Sequence, residues 1–110
     1  MLKKEDGLLD FNKNSKDIVN LIRGLNPWPV AYAFYKGKML KIFKAQVYNA
    51  DSKRSLVESG TVVKCSVNDG LIISTKDGAI SVLQLQLEGA KRLEIKQFLL
   101  GKNIEIGYKF

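Results

Sequence analysis

Two hydrophobic periods divide the chain. Ile18, Leu21, Ile22 and Leu25 recur at the three- and four-residue spacing of a helix and form one apolar face. Ser15 is placed to cap the start of that helix, and Asp17 suits the positive end of its dipole. Gly24 and Asn26 weaken the far end, and Pro27 and Pro29 stop it. From residue 31 the period becomes that of strands, which are predicted over 31–36, 39–48, 61–67, 71–75 and 79–87. Lys36-Gly37-Lys38, Asn68-Asp69-Gly70 and Lys76-Asp77-Gly78 read as hairpin turns, and the polar stretch 49–60 as a loop. A short helix is expected at 95–100 with Gly101 as its stop. Ile104, Ile106, Tyr108 and Phe110 alternate as a last strand would. Residues 1–6 are a polar lead-in or the end of a linker, and 7–110 one domain.

Two strands break their own alternation. Leu40 and Ile42 share one parity, Ala45 and Val47 the other. Ile80 and Val82 are followed by the opposite-parity set Leu83, Leu85 and Leu87. One inserted residue restores a single buried face in each, so β-bulges are expected near Phe43 and near Val82. The alternative is that both segments are buried on both faces. Long bent strands favour a closed or nearly closed barrel. The expected fold is therefore mainly β: a small OB-like, Greek-key barrel with an N-terminal amphipathic helix and a short C-terminal one.

Composition narrows the chemistry. The 110 residues contain no histidine and one cysteine, Cys65. Catalysis through imidazole, metal sites built on His, an internal disulfide and a Cys-rich zinc site are all excluded from this chain. Cys65 alternates with Val63 and Val67 and reads as core rather than nucleophile. Glu88 and Glu94 lack a catalytic setting, and no phosphate-binding glycine loop precedes a helix. No apolar run approaches the roughly 20 residues of a membrane span, and the charged start does not read as a signal peptide. A cytoplasmic protein is expected.

Charge is unevenly spread along the chain. Lys and Arg number 18 against 11 acids, a net charge of +7. Lys36, Lys38, Lys41, Lys44, Lys53 and Arg54 face only Asp51, so most of that charge lies in one segment. Lys41 and Lys44 fall on the outer face of the bulged strand, with Gln46 and Tyr48 continuing it. Lys91-Arg92 adds a second basic pair. Basic and aromatic groups on one barrel face suit nucleic acid. The competing readings are an ordinary solvated lysine surface and, more weakly, acidic lipid. Asn26-Pro27-Trp28-Pro29 reads as a corner that packs Trp28 between helix and barrel; the alternative is an exposed Trp28 stacking on a base.

In order along the chain, Gly7-Leu8-Leu9-Asp10-Phe11, Ile22-Arg23-Gly24-Leu25-Asn26-Pro27-Trp28-Pro29, Leu40-Lys41-Ile42-Phe43-Lys44-Ala45, Gly70-Leu71-Ile72-Ile73-Ser74-Thr75 and Leu85-Gln86-Leu87-Glu88-Gly89-Ala90-Lys91-Arg92 resemble the C-terminal domain of methionyl-tRNA formyltransferases. The likeness runs from Gly7 to about Gly101, and Asn-Pro-Trp-Pro is its most specific part. Phe11 and Phe43 stand where Trp is frequent, Ser59 where Pro is usual, and Glu94 where a Ser cap is expected. The resemblance implies an OB-like barrel that holds initiator Met-tRNA on a basic face. A separate N-terminal Rossmann-like domain would transfer the formyl group from 10-formyltetrahydrofolate. It also implies no catalytic residue, metal or cofactor in this chain. The expected phosphate contacts are Lys36, Lys38, Lys41, Lys44, Lys53, Arg54, Lys91 and Arg92. The alternatives are a structural platform in a sugar-nucleotide or folate formyltransferase, and a general oligonucleotide-binding barrel.

Overall fold

A computed structural model describes residues 7–25, 30–48 and 58–110. The lead-in 1–6, the Trp28 corner and most of the 49–60 loop, with Lys53 and Arg54, lie outside the described residues. The elements run α1 (Ser15–Leu25), β1 (Ala31–Tyr35), β2 (Lys38–Tyr48), β3 (Val62–Ser66), β4 (Gly70–Ser74), β5 (Ala79–Leu87), β6 (Leu93–Glu94) and α2 (Ile95–Gly101). All strands are antiparallel in one sheet of order β1-β2-β5-β4-β3, with β6 added to β5.

The inner face is the core. Ala31 and Ala33 of β1, Leu40 and Ile42 of β2, Leu71 and Ile73 of β4, and Ile80, Val82, Leu85 and Leu87 of β5 are buried there. They pack with Ile18, Val19, Ile22 and Leu25 of α1 and Phe98 and Leu99 of α2. Leu21 is the exception on the predicted helical face: it is exposed, and Val19 takes the inward position.

Both expected bulges are present, side by side on the paired long strands. Ile42 pairs with Leu85 and Lys44 with Gln84, leaving Phe43 unpaired; Ala45 then pairs with Val82, leaving Leu83 unpaired. The two irregularities offset each other, so the core face passes from Ile42 to Ala45 as it passes from Leu85 to Val82. The sheet nevertheless does not close. Edges β1 and β3 share no ladder, and the gap between them is taken by residues 104–110.

That tail is not the expected strand. It bends at Gly107 (φ +94°) and leaves Ile106 exposed. It makes one bridge, Thr61 to Lys109. It is nonetheless tied to both edges. Gly107 N–H donates to the Val62 carbonyl and Val62 N–H to that of Tyr108. On the β1 side, Tyr108 Oη accepts from Lys36 N–H (2.8 Å) and donates to the Phe34 carbonyl (3.2 Å). Tyr35, Tyr108, Phe110 and Phe11 pack ring to ring behind this seam, edge-to-face or tilted, at centroid distances of 4.6, 5.0 and 5.7 Å.

Two further local readings are corrected. Ser15 does not cap α1 with its own hydroxyl. Its Oγ is buried between Thr75 Oγ1 (2.7 Å) and the Ala79 carbonyl (3.0 Å), while its N–H is received by Asp77 Oδ1 (2.8 Å). The carboxylate of a distant hairpin turn thus serves the helix start. In β3 a third bulge, at Val63, turns Val62 into the core, and Val67, in the turn after β3, is exposed. Cys65 is half-buried against the core, as read. Glu94 stands at the N-cap of α2 and makes no side-chain cap bond, which fits its departure from the expected Ser.

Candidate nucleic-acid interface

Side chains alternate between the two faces of a strand. With Leu40 and Ile42 inward, Lys41 points outward, in register between Tyr32 of β1 and Gln86 of β5. The Phe43 bulge keeps Lys44 on the same outer face, opposite Gln84. Gln46 and Tyr48 follow on it, as expected. Lys44 is exposed. Lys41 is half-buried and lines a groove of about 340 Å³ with Met39, Gln86, Leu87, Glu88 and Gly89.

The second basic pair is folded back onto this face. Ala90 N–H donates to the Leu87 carbonyl, and Gln86 Nε2 holds the Ala90 carbonyl at 2.8 Å, so the chain after β5 reverses over the sheet. β6 then pairs beside Gln84 and Leu85. Lys91 is exposed at this turn. Arg92 lies over the Phe43 ring, 4.0 Å from its centroid, and donates from Nε (2.9 Å) and Nη2 (2.6 Å) to Gln84 Oε1. Lys41, Lys44 and Arg92, far apart in the chain, meet on one surface.

Lys36 and Lys38 do not join them. They sit at the tip of the β1–β2 hairpin, a two-residue turn with φ +51° at Lys36 and +85° at Gly37, the left-handed pair that a type I′ turn requires. Lys36 Nζ is engaged by Glu105 at 2.8 Å, and that hydrogen bond raises its pKa above the ordinary lysine value. Lys38 is exposed, with the parity of Leu40 and Ile42 rather than of Lys41.

One residue escaped the sequence reading. Lys64 of β3 lies on the outer face, its Nζ 3.1 Å from Tyr48 Oη and 5.6 Å from that ring's centroid. Its polar position between Val63 and Cys65 is a signal, but it lies outside the basic segment 36–54. Among the described residues no group of His, Cys, Asp and Glu could hold a metal ion, and no helix is long and apolar enough to cross a membrane.

The model of the formyl transferase C-terminal domain matches residues 1–103. The chain belongs to that family. It is 42% identical over 113 residues to the methionyl-tRNA formyltransferase of Halothermothrix orenii, covering 98% of this chain and 35% of that protein. With the methionyl-tRNA formyltransferase of Clostridium novyi it shares 43% over 106 residues, covering 96% of this chain and 33% of that protein. The domain therefore spans about a third of the length of these relatives. Among solved structures, HypX from Aquifex aeolicus superposes with a TM-score of 0.64 at 17% identity, over 92% of this chain and 17% of that one. At that identity the likeness speaks for the fold alone.

Proposed function

We propose that this domain is the tRNA-holding part of a methionyl-tRNA formyltransferase. In this reading it is non-catalytic and cytoplasmic. It positions initiator Met-tRNA for an N-terminal Rossmann-like domain, which transfers the formyl group from 10-formyltetrahydrofolate. The observation that carries the reading is the convergence of Lys41, Lys44 and Arg92 on one outer sheet face, in a chain whose relatives carry that name. Ammonium and guanidinium groups on a fixed surface neutralise phosphates and release their counterions, which gives affinity and orientation without base specificity. Lys91 extends the patch, and Lys36 and Lys38 offer contacts at the hairpin tip, as do Lys53 and Arg54 in the segment after β2. Lys36 would exchange Glu105 for phosphate, a small cost for an exposed ion pair.

The test is a titration of initiator tRNA into the purified 110-residue chain at low salt, with the variant Lys41→Ala/Lys44→Ala beside it. The variant is expected to bind several-fold more weakly with an unchanged unfolding midpoint, because both side chains point away from the core. No tRNA binding at low salt would instead favour a structural platform. Equal affinity for single-stranded DNA and tRNA would favour a general oligonucleotide barrel.

A further inference from the structure

Arg92 is held differently from the lysines around it. One guanidinium face rests on Phe43 at 4.0 Å. One edge is fixed by two hydrogen bonds to Gln84 Oε1, at 2.9 and 2.6 Å. Gln84 is itself braced, donating from Nε2 to Glu94 Oε2 at 2.7 Å. The carboxylate thus acts on the arginine only through a neutral amide, and among the described residues Arg92 is in neither ion pair. Arg92 as a residue is exposed, and Phe43 backs one side of its guanidinium. The result is a charged plane fixed along one edge and backed by an aromatic ring, on an exposed residue. Lys44 is anchored opposite the same Gln84.

A lysine that only meets phosphate needs none of this. A fixed plane is what an unpaired base requires, because bases stack on arginine planes as they do on aromatic rings. We propose that Arg92 is a stacking platform for an unpaired nucleobase of the bound RNA, with Lys44 taking an adjacent phosphate. The inference rests on the tRNA-binding reading and assigns a division of labour within that surface.

The experiment compares wild type, Arg92→Lys, Phe43→Leu and Lys44→Ala in two assays, with urea unfolding confirming that each variant folds. The first is tRNA affinity against salt. Arg92→Lys keeps the charge and loses the plane, so affinity falls about tenfold while the slope of log K against log salt stays that of wild type. Phe43→Leu follows it in direction. Lys44→Ala instead flattens the slope by about 0.7 to 0.9. The second assay uses a single-stranded RNA and an abasic strand of the same length and charge. Wild type prefers the strand with bases, and Arg92→Lys loses that preference. Wild-type affinity in Arg92→Lys, or a base preference unchanged by it, overturns the platform and leaves the tRNA reading intact. A wild-type chain that binds no tRNA overturns the reading beneath it.

Discussion

Asp77 ties the start of α1 to its own hairpin turn through one carboxylate. Its Oδ1 receives the Ser15 N–H at the start of α1 and the Thr75 hydroxyl within its own turn, at 2.8 and 3.2 Å. The Ser15 N–H is the main cause that holds the Asp77 pKa below its ordinary 3.8; partial burial opposes it. A carboxylate depressed in the native state stabilises the fold fully above its unfolded pKa. That contribution is lost as pH falls below about 3.8 toward the native value. Asp77→Ala should cost about 1 kcal/mol at neutral pH, as loss of a helix cap does. Asp77→Asn should keep most of the cap while flattening the acid limb of the stability profile, measured by urea unfolding between pH 2 and 7. An acid limb in Asp77→Asn as steep as in wild type would assign the dependence to other carboxylates. From the sequence Ser15 was recognisable as a special residue at this helix start, but its partner was not. A serine beside an N-terminus has a local role at hand, and only the fold brings residues 75–79 close enough to replace it.

At the scale of elements, alternation was a strong guide where strands are long. The parity flips in β2 and β5 marked both bulges because each strand has enough buried positions on either side of the break. β3 has five residues, and Val62 and Val63 are both apolar, so its bulge left no trace in the pattern. β6, with two residues, is set by pairing to Gln84 and Leu85 rather than by its own period. The tail alternated like a strand because Ile104 is core and Tyr108 and Phe110 stack, while the turn at Gly107 puts Ile106 in solvent. At α2 the unserved N-cap gives a directed prediction. Glu94→Ser should stabilise the domain by about 0.5–1 kcal/mol in chemical denaturation by supplying the cap. It should also free Gln84 and weaken RNA binding through the lost brace on Arg92. A loss of stability would show that the Gln84 contact outweighs the cap.

For the molecule as a whole, the sheet stays open and the tail spans its two edges. The family match ends at residue 103, one position before Ile104, which is 1% exposed. Ending the chain after Asn103 should therefore cost at least about 2 kcal/mol, the scale for removing a fully buried aliphatic side chain. Urea unfolding checks this, and an unchanged midpoint would make the seam ornamental. The candidate surface is partly legible in the sequence: Lys41, Lys44 and Arg92 stand in its basic stretches, and the parity flip around Phe43 gives the lysines their shared side. That Lys36 is engaged by Glu105, that Lys64 joins the outer face, and that Phe43 carries Arg92 all depend on contacts between segments distant in the chain. We propose that tRNA binds this outer face through its phosphates. The most direct test is tRNA affinity of the 110-residue chain between 50 and 200 mM salt. About five neutralised phosphates should weaken binding roughly 500-fold, and a nearly flat salt dependence would contradict the account.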